Sequence, residues 1–99
     1  MIMTAAAMPP CHIEVVERNG MVKLEAVLDS QDVAKGQYVL VVRSGASGNV
    51  STSRQGGEFE VGDLENGRLA TAYVGAAGWT AQLRVYGHDG KLVCTTTKS

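Results

Sequence analysis

Ninety-nine residues provide for one folded domain around one core, and a hydrophobic fraction of 44% is enough to offset chain entropy, which excludes an intrinsically disordered chain. Nine Lys and Arg stand against ten Asp and Glu, a formal net charge of -1, so the overall field neither draws in nucleic acid nor strongly repels it. The longest apolar run inside the domain, Tyr38 to Val42, is far short of the roughly 20 residues a membrane-crossing helix needs, so no membrane insertion is expected.

Residues 1–10 are small and apolar but lack a basic start, and Ala5, Ala6 and Ala7 suit an export cleavage region. They read as a disordered leader or signal remnant ahead of a domain over 11–99. Cys11 to Arg18 alternates around Ile13 and Val15, Asn19-Gly20 is the pair a two-residue hairpin turn prefers, and Met21 to Leu28 alternates again. This predicts a hairpin of the first two strands. A polar loop over Asp29 to Lys35 leads into Gln37 to Ser44, an almost continuously apolar third strand.

Gly45 to Gly48 predicts a turn, and Asn49 to Gln55 a polar fourth strand suited to a sheet edge, which Gly56-Gly57 is expected to break. Glu58 to Val61 reads as a further short strand with Phe59 and Val61 inward, followed by an acidic connection and a strand over Arg68 to Val74. Trp79, Ala81, Leu83 and Val85 alternate inward along the next strand. His88-Asp89-Gly90 turns the chain into a last strand over Lys91 to Thr97, with Leu92 and Cys94 inward. Seven strands or slightly more, joined by Gly, Asn and Asp turns without helical periodicity, predict an all-β, immunoglobulin-like sandwich of about seven antiparallel strands. An oligonucleotide-binding barrel is the competing architecture, but it usually displays aromatic side chains for base stacking, and this chain has few to spare.

Cys11 and Cys94 stand at the two ends of the ordered region, and a disulfide between them is reasonable if the first and last strands lie side by side. Closing so long a loop removes roughly 4 kcal/mol of unfolded-state entropy in the chain-entropy picture. Two buried free thiols in a reducing compartment are the alternative. No C-x-x-C and no helix start are present to support thiol redox chemistry.

Catalysis and metal binding find little support. His12 begins the first strand and His88 sits in the last turn, with only scattered carboxylates between them, so no metal site is expected. The Ser and Thr residues lie in polar strands and turns without a matching His, and Glu58 and Glu60 lack apolar surroundings to separate their titrations. The Gly-rich segments Gly45 to Gly48 and Gly75 to Gly78 lack the Lys-Ser/Thr ending and following helix of a phosphate cradle. No enzyme activity and no cofactor are expected.

The more informative pattern is cationic. If Trp79, Leu83 and Val85 face the core, then Gln82, Arg84 and Tyr86 face out, with Lys91 and Val93 on the neighbouring strand. The same alternation turns Val39, Val41 and Arg43 outward, with Arg54 on the adjoining edge strand.

Arg43, Ser47-Gly48, the Ser/Thr run through Thr52 and the pair Arg54-Gln55 resemble the CsgC/CsgH-type curli assembly chaperones, the short CsgH branch most closely. The likeness continues through Trp79 to Val85, Asp89-Gly90 and Leu92, and so spans most of Cys11 to Thr97. The resemblance implies a periplasmic, immunoglobulin-like protein that acts without ATP, at low ratio, against premature amyloid assembly of the secreted curli subunit. The CsgC branch carries a Cys-x-Cys pair near the start of the third strand. Here Val33, Ala34 and Lys35 stand in that region, so a redox role does not carry over. Arg43, Arg54 and Arg84 are the expected contacts with that amyloidogenic subunit, with Lys91 and Gln55 secondary, and a monomer is the expected state. The alternative is a structural or adhesive module that binds partners by pairing along the edge of its fourth strand.

Overall fold

The computed structural model describes residues 10–29, 33–45, 50–76 and 78–99. The expected leader over 1–9, the turn around Ser47-Gly48 and the middle of the loop after the second strand lie outside the described residues. Seven strands follow in order: β1 (Cys11–Arg18), β2 (Met21–Leu28), β3 (Lys35–Ser44), β4 (Ser51–Glu60), β5 (Arg68–Gly75), β6 (Trp79–Gly87) and β7 (Leu92–Lys98). Two short 3-10 turns, Val61–Asp63 and Glu65–Gly67, join β4 to β5. Every pairing is antiparallel, and the strands form one sheet in the order β1-β2-β5 and another in the order β4-β3-β6-β7. This is the all-β sandwich that the alternating pattern predicts, with its fourth strand placed beside the third.

The first hairpin follows from its turn. Asn19 and Gly20 both adopt positive φ, 53° and 78°, the backbone hand that matches the right-handed twist of two strands joined by two residues. Register then runs without a slip from Arg18 opposite Met21 to Cys11 opposite Leu28. Ile13, Val22, Leu24 and Ala26 from this sheet meet Leu40, Val42, Ala81, Leu83 and Val85 from the other in a single buried core. Trp79 and Tyr38 pack half-buried against it.

Two expectations are corrected. Gly56-Gly57 does not break the fourth strand: β4 runs unbroken for ten residues and pairs with β3 along its whole length. The pair fits because Tyr38, opposite Gly57, lays its ring where a side chain would stand: a Cβ on Gly57 would lie 3.6 Å from the ring and one on Gly56 3.1 Å from the Tyr38 carbonyl oxygen. A neighbouring aromatic thus supplies the packing the glycines lack.

The second correction concerns β7. The register shifts between Val85 and Tyr86, so that Val85 faces Cys94 and Tyr86 faces Leu92, with Val93 as the extra residue. Leu92 is therefore 54% exposed, and Val93 packs partly buried against the core.

The expected disulfide is present: Cys11 and Cys94 are bonded, with Cα atoms 6.2 Å apart, and β1 and β7 lie side by side without pairing by hydrogen bonds. Each is the edge strand of its own sheet, so the bond ties the two layers together at one edge.

At Gly36, β3 and β6 approach so closely that a Cβ would stand 2.0 Å from the Tyr86 carbonyl oxygen. Gly36→Ala is expected to destabilise the domain by about 2 kcal/mol or more, because only a backbone shift relieves that overlap. The disulfide closes a loop spanning 83 positions, and its removal by Cys11→Ala with Cys94→Ala is expected to cost about 4 kcal/mol. Urea unfolding of both variants beside the parent checks the two values, and an unchanged midpoint would contradict either.

Candidate functional site

The outward face of the four-stranded sheet is built on β3, which is paired on both sides. Leu40 and Val42 point into the core, so Val39, Val41 and Arg43 point out. The pairings then assemble two rows. Val41 lies between Arg54 of β4 and Gln82 of β6, and Val39 lies between Gly56 and Arg84. In the next row Arg43 lies between Thr52 and Thr80, which places Arg43 and Arg54 as diagonal neighbours, about 7–8 Å apart between Cα atoms.

Arg43, Arg54 and Arg84 are exposed, whereas Val39, Val41, Gln82 and Tyr86 are half-buried. Val39, Val41, Arg54, Gln82, Arg84 and Tyr86 surround a shallow dip of about 50 Å³. Long cationic side chains cover apolar surface with their stems while the charged heads stay in water, and this explains how two valines sit on an outer face without being fully exposed.

The ion pairs lie elsewhere. Among the described residues they all belong to the three-stranded sheet and its flank. His12 contacts Asp29 at 2.5 Å and Glu14 at 3.1 Å, Lys23 contacts Glu25 at 3.1 Å, and Arg68 also contacts Glu25. None of the three outward arginines has a carboxylate partner among these pairs, so their charge is available to another molecule. Glu58 shares the outward side of β4 with Arg54 but lies beyond Gly56, opposite Gln37. Charge is therefore segregated along the strand, with arginines toward one end of the sheet and carboxylates toward the other.

Two residues expected beside the arginines stand apart from them. Gln55 turns to the inner side, where its Nε2 donates a 3.1 Å hydrogen bond to the Thr71 carbonyl of β5 and so ties β4 to the facing sheet. Lys91 precedes β7 in the closing turn, where its N–H donates to Asp89 Oδ1 and its carbonyl accepts from Gly87, at the end of β6 away from Arg43. The alternation that turns Arg54 outward also turns Gln55 inward, a distinction visible in the sequence once β4 is read through Gly56.

The architecture matches a solved structure. The solution structure of R. palustris CsgH superposes with a TM-score of 0.63 at 21% identity, covering 91% of this chain and 88% of that one. The chain has the CsgH fold. The sequence matches no protein-family profile. No curated protein matches it either. The CsgH fold here carries Arg43, Arg54 and Arg84 on the face of the larger sheet and its paired charges on the smaller one and its flank.

Those paired charges make stability depend on pH. The Asp29 carboxylate, aided by Glu14, raises the His12 imidazole above its ordinary value of 6.5 despite partial desolvation. A raised folded-state value means that the stabilisation is fully present below the unfolded value and is lost as pH rises through the folded one. Lys23 foremost, then Arg68, holds the Glu25 carboxyl below its ordinary range against desolvation, a stabilisation lost as pH falls through that lowered value. Denaturant midpoints are expected to rise on going from pH 8.5 to 6, and to fall again under acid conditions. Asp29→Asn should flatten the alkaline limb; an unaltered limb would contradict the His12 assignment.

Proposed function

We propose that the protein is a non-enzymatic, monomeric periplasmic chaperone that holds off amyloid nucleation of a secreted, acidic curli-type subunit. The observation that carries this reading is the set of three arginines, Arg43, Arg54 and Arg84, without an ion-pair partner among the described residues, on one outward sheet face beside Val39 and Val41. The likeness to the fold of R. palustris CsgH supports the biological setting, and the Cys11–Cys94 disulfide suits an oxidising compartment.

The mechanism follows from charge and shape. Arginines in three successive rows present a cationic strip to an acidic disordered chain and raise the rate of encounter. The half-buried valines between them offer apolar contact to the same chain. A subunit segment held there, even briefly, is withdrawn from the in-register stacking that a cross-β nucleus requires. Because a nucleus gathers several chains, brief occupation of single chains delays it at low ratio.

Pairing of a partner strand along β4 is a second reading, favoured by ten residues of edge strand with no outer neighbour among the described residues. Salt separates the two, since the screening length shortens from about 10 Å at 0.1 M to 3 Å at 1 M while backbone pairing is little affected.

Thioflavin fluorescence of an acidic curli-type subunit tests the proposal. Substoichiometric protein should lengthen the lag at low salt and lose that effect at high salt. Combined Arg43→Glu, Arg54→Glu and Arg84→Glu should weaken inhibition roughly tenfold. The same exposed substitutions are expected to change folding stability little. Inhibition retained by the folded triple variant would overturn the electrostatic mechanism, and salt-insensitive inhibition would favour β4 pairing.

A further inference from the structure

The outward face of the three-stranded sheet carries a second surface of different character. Val16, Lys23 and Tyr73 form one cross-strand row, and Arg18, Met21 and Gly75 the next. Val16, Met21 and Tyr73 are 47%, 50% and 65% exposed, three large apolar groups side by side rather than scattered singly. With Arg18 and Lys23 they line a hollow of about 320 Å³. Gly75 keeps its outer end open, since a Cβ there would meet nothing within 4 Å.

The charge around this hollow is positive. Glu25 is shared between Lys23 and Arg68, which leaves one net positive charge on that trio, and Arg18 has no ion-pair partner among the described residues. A concave apolar floor suits one inserted side chain better than it suits a flat bilayer surface, and the cations at its rim favour a carboxylate beside that side chain.

We propose that this hollow binds an extended acidic peptide segment, seating one aliphatic or aromatic side chain between Val16, Met21 and Tyr73 and placing a neighbouring carboxylate against Arg18 and Lys23. It lies on the outer face opposite the three arginines, so it is a separate docking surface and does not depend on the chaperone reading.

The test is a nuclear magnetic resonance titration of the isotope-labelled full chain with a blocked Asp-Leu-Asp-Phe-Asp peptide. Saturable shifts are expected at Val16, Lys23 and Tyr73. A blocked Asp-Gly-Asp-Gly-Asp peptide, which keeps the charge and lacks the apolar side chains, should not produce them. Met21→Ser and Tyr73→Ser should each weaken binding roughly tenfold while leaving the spectrum of a folded domain. Should Tyr73→Ser fail to fold, Met21→Ser carries the comparison alone. The proposal is overturned if these signals do not move, if both peptides move them equally, or if Met21→Ser binds as the parent does. Self-association through the same residues, or binding to phosphatidylglycerol vesicles in place of the peptide, would overturn it as well.

Discussion

The register of β3 against β6 is the constraint on which the other features depend. Leu40 opposite Leu83 and Val42 opposite Ala81 are buried pairs, and a slip of β3 by one residue against β6 would carry Leu40 and Val42 onto the outer face. The same register puts Val41 beside Gln82 and Val39 beside Arg84. Burial on one side of the sheet thus decides which cations meet on the other. Extension of this pairing to β4 adds Arg54, and the central position of β3 brings side chains distant in sequence into one strip.

The two sheets divide the electrostatic work. On the three-stranded sheet and its flank, most charges are matched locally, by His12 with Asp29 and Glu14 and by Lys23 and Arg68 with Glu25, with Arg18 the exception. On the four-stranded sheet, Arg43, Arg54 and Arg84 have no carboxylate partner among the described residues, and Glu58 and Glu60 stand toward the other end, Glu60 opposite Lys35. A net charge near zero conceals this arrangement. Surface charges matched in the folded chain contribute to its pH response, whereas unmatched ones contribute little to stability and remain available for encounter with a partner.

Much of this was legible in the residues because local chemistry and long-range packing agree. Asn19-Gly20 forces one hairpin geometry, and the alternation of Val22, Leu24 and Ala26 admits one buried face, so β1 and β2 follow from sequence to the residue. The outward placement of Arg43 and Arg84 followed from the same alternation, whereas Arg54 was legible only as a member of the adjoining edge strand. Legibility failed where a distant residue decided the outcome. Tyr38 rescues Gly56-Gly57, an effect that inspection of the glycines alone does not reveal. The bulge at Val93 depends on how β7 meets β6, and it exchanges the roles of Leu92 and Val93. Gln55 was grouped with Arg54 by adjacency, although neighbouring positions on a strand face opposite ways. The sulfur pair was identified, but its place between sheets required the strand order.

Photo-crosslinking tests the central claim, that the partner lies on the arginine-bearing face, most directly. A benzophenone side chain is placed at Val41, between Arg54 and Gln82, and in a second preparation at Asp63, in the acidic connection after β4. Each preparation is irradiated with an acidic curli-type subunit during its lag phase. The account predicts a subunit adduct from position 41 that diminishes at high salt, and little from position 63. Capture from position 63 with none from position 41 would contradict it.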